Sequence, residues 1–496
     1  MKSCRFFVFV LMIASLFAAA ACEEEVKEGD APVVTLSGGR IFRIAPGESV
    51  TLSPVFENLT ERTSIRWMLD DSLVGTEQTY TFSASAPGVY YLRVEVTTEW
   101  GSDALEIRFD VYDDTPAPPD TLPAPPADLV RVSFERREFH VAQGRTIRLL
   151  PLDIDSTRTY RYRWQIDGIP VQESEDPLYR FEAVRQGRFQ VEFRMLLDGT
   201  AVFDDTLQVQ VCPPEGTYRR LAGASSSPRA TRVYEYLPAP GQYINDGYTA
   251  HTMEEACDYA FSRIRDGKFI SLGGFGGYVI VGFDHSIDND GDYNFAIKNL
   301  INSNDSEPGI VWVMQDENGN GLPDDTWYEL KGSEYGLDCT VQDYAVTYYR
   351  PSAAGAVLWS DNRGGSGSVD YLPAFHSQDS YYPAWVGEDR YTLRGTRLEA
   401  RNRDESGNGM LWVLPDYGWG YADNYSETDM LPGRATGITA GCNHFRISDA
   451  VTFDGKAAGL QYIDFVRIQT GVNAKSGWLG ELSTEVADVI DFNLVK

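Results

Sequence analysis

Hydrophobic and polar residues alternate in short stretches between residues 32 and 212, which is the pattern of half-buried β-strands. In the clearest stretch, Tyr90–Val96, leucine or valine at every second position is separated by arginine and glutamate. The pattern occurs twice: Trp67 follows Gly47 by 20 residues, and Trp164 follows Gly144 by 20 residues. This self-similarity predicts two tandem copies of one fold.

Each copy is predicted to be a β-sandwich whose single mid-strand tryptophan fills the space between the two sheets. A glycine before the next strand suits a tight turn. Through Trp-x-x-Asp and Gly-x-Tyr/Phe-x-Val elements, the copies resemble the PKD/Ig-like modules of bacterial surface proteins. The resemblance covers residues 32–112 and 129–212. We therefore expect Trp67 and Trp164 to lie in the two cores.

The remaining residues, 213–496, predict a larger, mainly β domain of jelly-roll type with at least one helix. The helix is predicted from Thr252, as its N-cap, to Arg265. Five strands have the clearest hydrophobic patterns: Tyr278–Phe283, Gly309–Met314, Tyr344–Tyr349, Gly409–Leu414 and Tyr462–Ile468. Long loops rich in glycine, asparagine and aspartate separate them.

The N-terminus predicts secretion and lipid anchoring. Residues 1–21 form a signal peptide with a short positive segment, an apolar segment and small residues before Cys22. This arrangement resembles the lipobox of bacterial lipoproteins, although Ala19 stands where that motif usually has leucine. Cys22 is the expected lipidation site, and an ordinary secreted protein is the alternative.

Acidic residues dominate the segment after Cys22, and this composition favours a solvated tether over residues 22–31. It also resembles the export signal of lipoproteins that reach the outer face of the outer membrane. Residues 113–128 are rich in proline and predict a semi-rigid linker between the two sandwiches. We expect the protein to be anchored in the outer membrane and to face the cell exterior.

The net charge of −30 and pI of about 4.5 argue against nucleic acid as a partner. No redox or nucleotide cofactor is expected. The glycines of residues 273–277 precede a strand instead of opening a helix, so they indicate close backbone packing and not a phosphate loop. In an oxidising compartment, four cysteines could form two disulfides in three alternative pairings: Cys212, Cys257, Cys339 and Cys442.

One loop has the spacing of a calcium site. Asp316, Asn318 and Asn320 occupy alternate positions, Gly321 allows the turn, and Asp324 follows at the ninth position. Trp327 occupies the twelfth position, so the bidentate glutamate of an EF-hand is missing. The two interpretations are a stand-alone Ca²⁺ loop and a hairpin turn rich in asparagine and glycine.

Aromatic residues in turn-rich loops suit flat ligands or sugar rings. The candidate ligand contacts of this kind are Trp359, Trp385, Trp419 and Tyr421. The sequence contains no nucleophile elbow and no histidine pair at metal-binding spacing. We therefore expect that the protein is not an enzyme. The many carboxylates nevertheless do not exclude a catalytic pair of the kind found in glycosidases.

Two long segments carry a family resemblance: Ser306–Asn320 continuing through Trp327–Ser333, and Ile463–Glu485. They resemble Bacteroidetes cell-surface lipoproteins of the PKD-like type, some of which accompany outer-membrane cobalamin transporters. The resemblance implies a surface lipoprotein whose C-terminal domain captures a ligand, with cobalamin as the named candidate. A TonB-dependent transporter would then be the partner. The alternative is a glycan-binding or adhesive surface protein.

Overall fold

The computed structural model describes residues 29–36, 40–69, 72–86, 88–111, 132–154 and 157–496. The predicted signal peptide, Cys22, most of the acidic tether and the 113–128 linker lie outside these residues. The chain divides between Pro119 and Asp120 into two compact units. The first unit contains one β-sandwich. The second contains another sandwich together with the C-terminal domain.

The first sandwich is built around Trp67, whose side chain is fully buried. Its Nε1 donates a hydrogen bond to the carbonyl of Glu77 at 2.8 Å. The strands are β1 (Val33–Thr35), β2 (Ile41–Ile44), β3 (Ser49–Leu52), β4 (Val55–Glu57), β5 (Ser64–Leu69), β6 (Ser72–Gly75), β7 (Tyr80–Ser83), β8 (Gly88–Thr98) and β9 (Gly101–Val111). The main sheet has the order β2-β9-β8-β5-β6, and β3 pairs with β7.

The second sandwich repeats this arrangement around Trp164. Its strands are β10 (Glu138–Ala142), β11 (Thr146–Leu149), β12 (Arg161–Ile166), β13 (Ile169–Ser174), β14 (Tyr179–Glu182), β15 (Gly187–Leu197) and β16 (Thr200–Cys212). The order β10-β16-β15-β12-β13, with β11 paired to β14, matches the first sandwich strand for strand. Trp164 is fully buried, and Gly144 has φ +93° where Gly47 has +82°. The predicted tandem repeat and the core positions of both tryptophans are confirmed.

The C-terminal domain contains further antiparallel sheets. Its strands are β17 (Arg232–Leu237), β18 (Ile270–Ser271), β19 (Tyr278–Asp288), β20 (Phe295–Lys298), β21 (Gly309–Met314), β22 (Trp327–Leu330), β23 (Val341–Tyr349), β24 (Val357–Asp361), β25 (Ser366–Val369), β26 (Arg390–Arg397), β27 (Arg403–Asp404), β28 (Trp412–Val413), β29 (Asn443–Phe445), β30 (Ala450–Val451), β31 (Tyr462–Thr470), β32 (Glu485–Val486) and β33 (Asp488–Asp491). Its helices are α1 (Met253–Arg265), α2 (Glu427–Met430) and four 3₁₀ turns at Gly437–Thr439, Ile447–Asp449, Gly477–Leu479 and Phe492–Leu494.

Two sheets and α1 share the main core of this domain. One sheet has six strands in the order β17-β19-β31-β21-β22-β30, and the other has four in the order β25-β24-β23-β26. Val466 and Ile468 of β31 point into this core together with Val346 of β23 and Ala260 of α1. Because side chains alternate along a strand, Arg467 points to the opposite face of the six-stranded sheet. The mainly β fold class is confirmed.

The helix predicted from Thr252 to Arg265 is also confirmed as α1. The capping role of Thr252 can be tested by substitution. Thr252 accepts a hydrogen bond from the backbone N–H of Glu255 at 3.2 Å through its side-chain oxygen. We expect Thr252→Ala to lower the free energy of unfolding by about 1 kcal/mol, because one N–H of the first turn loses its acceptor. Urea titration measures this change. Thr252→Ser keeps the oxygen and should stay near the wild-type value, and equal losses in both variants would contradict the capping role.

The predicted strand at Gly409–Leu414 is wrong except for Trp412 and Val413. The backbone before them turns around Asp404, whose carboxylate accepts hydrogen bonds from the N–H groups of Gly409 and Leu411. Gly409 has φ +82°, which is incompatible with a regular strand. The side chain of an aspartate therefore competes successfully with sheet pairing here.

The four cysteines beyond residue 210 are free thiols, so the disulfide pairings considered from the sequence are absent among the described residues. Burial raises the pKa of Cys212 to about 12 and that of Cys257 to about 11. A thiol with a raised pKa carries little thiolate and is unreactive. Within the described ranges, no helix has the length and apolar character needed to span a membrane.

The glycine-rich segment at residues 273–277 shows the close packing that its position indicated. A Cβ on Gly277 would lie 1.9 Å from the carbonyl oxygen of Leu272 and 2.2 Å from the nitrogen of Ala239. Such distances leave no space for any side chain. Gly273 is equally restricted, since a Cβ there would lie 2.0 Å from the carbonyl oxygen of Ala239.

Candidate functional site

A cavity of about 660 Å³ separates the second sandwich from the C-terminal domain. This volume lies within the range of small-molecule binding sites. The second sandwich contributes residues between 133 and 153, among them Phe134, Phe139 and Arg148. The floor is the face of the six-stranded sheet that points away from the main core. We call this space the interdomain cavity.

One row of side chains crosses the whole floor. The cross-strand register places these six residues side by side, one from each strand: Glu235, Ile280, Arg467, Trp312, Glu329 and Val451. All six line the interdomain cavity. Their alignment follows from the two-residue period of strands, since in-register neighbours point to the same face. The row combines apolar, aromatic, basic and acidic groups within one surface.

Two polar atoms of the floor have no hydrogen-bond partner among the protein groups. They are Nε1 of Trp312 and Nε of Arg467. The guanidinium of Arg467 lies 4.0 Å from the ring centroid of Tyr278, which in turn donates a hydrogen bond to Glu235 at 2.7 Å. Unpaired buried donors are costly, so a ligand that reaches these atoms and accepts hydrogen bonds from them would offset that cost.

Ion pairs connect the second sandwich to the four-stranded sheet of the C-terminal domain at the edge of the cavity. Arg148 donates to both carboxylate oxygens of Asp343 at 2.5 and 2.7 Å. Asp153 of the second sandwich accepts a hydrogen bond from Arg394 of the C-terminal domain. Two-point pairing of arginine with a carboxylate fixes orientation as well as distance. These ion pairs therefore fix the position of the second sandwich relative to the C-terminal domain on the two sides of the cavity.

Glu329 is the buried acid of the floor, and it predicts a pH effect on stability. Burial raises its pKa to about 7 from the ordinary 4.5, although Thr396 donates a hydrogen bond to it at 2.5 Å. The folded protein therefore holds this proton more tightly than the unfolded chain. The resulting stabilisation is complete below pH 4.5 and is lost as the pH rises through 7.

We expect Glu329→Gln to remove the loss of stability that wild type shows as the pH rises through 7, because glutamine stays neutral. At pH 8 the variant should be more stable than wild type by up to about 3 kcal/mol, and at pH 4 the two should be equal. Urea unfolding at the two pH values measures the difference. Glu182→Gln, at an exposed position of β14, is the matched control. A Glu329→Gln variant that is no more stable than wild type at pH 8 would contradict the assignment.

The predicted calcium loop lies beside the cavity, and its end contributes Asp325 and Trp327 to the lining. The carboxylate of Asp316 accepts hydrogen bonds from the N–H groups of Asn320 and Gly321 at 3.1 and 3.0 Å. Asp324 accepts from the side-chain amide of Asn320 at 3.0 and 3.2 Å.

The amide of Asn318 also donates to Asp324, at 3.0 Å. The structure therefore brings all four predicted ligands into one loop: Asp316, Asn318, Asn320 and Asp324. The oxygen-rich donor set is the kind that Ca²⁺ prefers.

The four predicted aromatic contacts are distributed over different places. Trp385 is 8% exposed and donates to the carbonyl of Tyr236, and Tyr421 is 2% exposed in a smaller core cluster. Trp359 is half-buried against the main core. Trp419 lines a separate cavity of about 150 Å³. The structure does not unite them, and ligand contact through them stays a prediction.

Sequence reasoning missed the interdomain cavity. It also missed a cluster of three carboxylates whose oxygens lie within 4.8 Å of one another: Glu307, Asp423 and Glu485. Burial raises the pKa of all three, that of Asp423 to about 7. Their positions are far apart in sequence, so no local motif marks them. Alternation in β21 and β31 could have indicated that Trp312 and Arg467 share one face.

The fold and the cavity define a mainly β protein with tandem Ig/PKD-like sandwiches, a C-terminal domain and a cavity between that domain and the second sandwich. Residues 31–98 match the PKD-like domain family, which agrees with the first sandwich. No curated protein matches the chain.

Among solved structures, the chain is similar to the fibronectin(III)-like modules of CbhA from Clostridium thermocellum. The identity is 15% over 38% of this chain and 100% of that one, with a TM-score of 0.16. The titin domains Z1Z2 in complex with telethonin give 16% identity over 37% of this chain and 98% of that one, with a TM-score of 0.15. At such TM-scores these similarities add nothing to the topology described above.

Proposed function

We propose that the protein is a surface lipoprotein that captures a small molecule in the interdomain cavity. The observation that carries this proposal is the row of side chains on the cavity floor, with unpaired donors at Trp312 and Arg467. A concave space between domains that presents both aromatic and hydrogen-bonding side chains is a usual place for a small-molecule site. The unpaired N–H groups of Trp312 and Arg467, together with the aromatic floor, favour a flat ligand that has carbonyl or carboxamide groups as hydrogen-bond acceptors.

Cobalamin is the ligand that we propose, on the family resemblance of residues 306–333 and 463–485. A deep cleft with aromatic walls suits a corrinoid better than a flat exposed row of rings, which would suit a glycan. A ligand as large as cobalamin would extend beyond a cavity of about 660 Å³. A glycan remains the alternative ligand, because Trp312 and Trp327 could also stack on a sugar ring.

The proposed cellular setting rests on the sequence of the N-terminus. A lipid on Cys22 would anchor the chain in the outer membrane with its domains facing the exterior. A TonB-dependent transporter would be the receiving partner, because a surface protein that captures a nutrient must deliver it to an importer.

Isothermal titration calorimetry of the full-length chain with cyanocobalamin tests the proposed function. We expect saturable binding with about one site per chain. Absence of binding at micromolar protein would overturn the cobalamin proposal. Binding of an oligosaccharide in the same experiment would favour the glycan alternative instead.

We further propose that the loop of Asp316 binds Ca²⁺ as a structural ion. Calcium should raise the melting temperature of the wild-type protein, because an ion that binds only the folded state stabilises it. Asp316→Ala should abolish this response, since the carboxylate at the first position is lost. Differential scanning calorimetry measures both. A wild-type melting temperature that calcium leaves unchanged would contradict a structural ion at this loop.

A further inference from the structure

Three metal-binding side chains meet where the second sandwich contacts the C-terminal domain. His140 lies on β10 of the sandwich, and Asp324 and Asp325 lie at the end of the calcium loop. One ligand atom from each residue lies within 4.8 Å of the other two. Nδ1 of His140 is 3.6 Å from Oδ1 of Asp324 and 3.6 Å from Oδ1 of Asp325.

These separations suit a small divalent ion. Tetrahedral zinc, with bonds of about 2.0–2.2 Å to nitrogen and oxygen, places its ligand atoms about 3.3–3.6 Å apart. The observed distances of 3.6 Å from His140 to the two carboxylates reach the upper end of this range. An ion could therefore sit among the three groups with only small side-chain adjustments.

Asp325 provides an independent observation that favours a cation at this place. Its side chain is fully buried, and Oδ1 has no hydrogen-bond partner. The other oxygen, Oδ2, accepts a hydrogen bond from the N–H of Glu317 at 2.9 Å. Because the unpaired oxygen is the one nearest to Nδ1 of His140, a cation between them would satisfy it. A buried carboxylate oxygen without a donor or a cation is costly.

The surroundings are compatible with a cation. Glu138 lies 3.9 Å from Nε2 of His140, the ring nitrogen that would not bind the metal. In metal sites, a carboxylate near this second nitrogen commonly orients the histidine ring. Arg136 directs its guanidinium to the backbone carbonyls of Asp324 and Asp325, at 2.7 and 3.0 Å.

The amide nitrogen of Asn318 lies 3.0 Å from Nδ1 of His140. A half-turn of this amide would present its oxygen to an ion instead, at the expense of the hydrogen bonds that the amide makes with Asp324 and with the N–H of Asn320. Asn318 is therefore a candidate fourth ligand.

We propose that His140, Asp324 and Asp325 bind a divalent transition-metal ion of the zinc class, which fastens the second sandwich to the C-terminal domain. An imidazole nitrogen suits zinc and its neighbours in the first transition row, whereas Ca²⁺ takes oxygen ligands. The metal site is therefore chemically distinct from the calcium loop, although the two share Asp324 and the candidate ligand Asn318. The proposal does not depend on ligand capture in the interdomain cavity.

The experiment uses the full-length chain, freed of metal with a chelator and titrated with ZnCl₂. Calorimetry gives the affinity, elemental analysis gives the zinc content, and scanning calorimetry gives the melting temperature. We expect about one zinc ion per chain and a raised melting temperature. His140→Ala and Asp325→Asn should each weaken zinc binding by about tenfold or more.

The variants separate the two ion sites. His140→Ala should keep the response to calcium, whereas Asp316→Ala should lose that response and keep zinc binding. His376→Ala is the matched control, because His376 contacts Asp246 in a different part of the C-terminal domain, at 2.9 Å. Asp325→Asn preserves the size of the side chain, so it tests the site if His140→Ala fails to fold. A wild-type chain that takes up no zinc, or a folded His140→Ala protein with unchanged zinc affinity, would overturn the proposal.

Discussion

Replacing Trp164 with alanine should lower the free energy of unfolding of the second compact unit by about 3–5 kcal/mol. The indole is fully buried. Its centroid lies 4.8 Å from that of Phe193 and 6.0 Å from that of Phe134. Its Nε1 donates to the carbonyl of Pro177 at 3.1 Å. Alanine would leave a large cavity and an unpaired carbonyl.

Trp164→Ala should also weaken ligand binding. Phe134 packs against Trp164 and lines the interdomain cavity, so the loss of the indole would disturb the ligand site. Urea unfolding measures the stability, and titration with cyanocobalamin measures the binding. Trp67→Ala is the matched control in the first unit: it should destabilise that unit by a similar amount and leave ligand binding unchanged. A Trp164→Ala loss below about 1 kcal/mol would contradict the core role.

Trp312→Ala should weaken cyanocobalamin binding by about 30-fold or more, which corresponds to about 2 kcal/mol. Trp312 lies near the middle of the floor, between Arg467 and Glu329 in the cross-strand register. Its Nε1 has no hydrogen-bond partner. A central aromatic residue with a free donor is the type of residue that dominates binding energies.

Trp359→Ala distinguishes this site from the aromatic loops predicted from sequence. Trp359 lies on β24, in the four-stranded sheet, and does not line the interdomain cavity. Its replacement should leave the affinity unchanged. Loss of binding in Trp359→Ala together with normal binding in Trp312→Ala would reverse our assignment. Circular dichroism and melting curves establish that both variants are folded.

Local patterns predicted the elements that depend on local interactions. The helix from Met253 follows its N-cap Thr252, and the strand Gly309–Met314 has the predicted bounds. The repeat of Trp67 and Trp164 predicted two sandwiches because each tryptophan has a fixed place in one fold. The loop of Asp316 turns where its spacing indicated, since the aspartate side chain bonds to the backbone a few residues later, and calcium binding there stays a prediction.

The interdomain cavity could not be predicted in this way, because its parts come from distant segments. Arg148 and Asp343 are 195 residues apart in sequence and form one of the contacts that close it. Alternation shows which side chains leave the core, but not which domain covers them. The burial of Trp385 and Tyr421 could not be predicted for a related reason: the turn residues around them suggested exposure, yet the loops fold inward over the core.

A crystal structure of the full-length chain with cyanocobalamin would show directly where the ligand binds. We predict that the ligand lies between residues 133–153 and the six-stranded sheet, in contact with Trp312 and Arg467. A ligand bound at the cavity of Trp419, or beside Trp359 on the four-stranded sheet, with the interdomain cavity empty, would contradict ligand capture in the interdomain cavity.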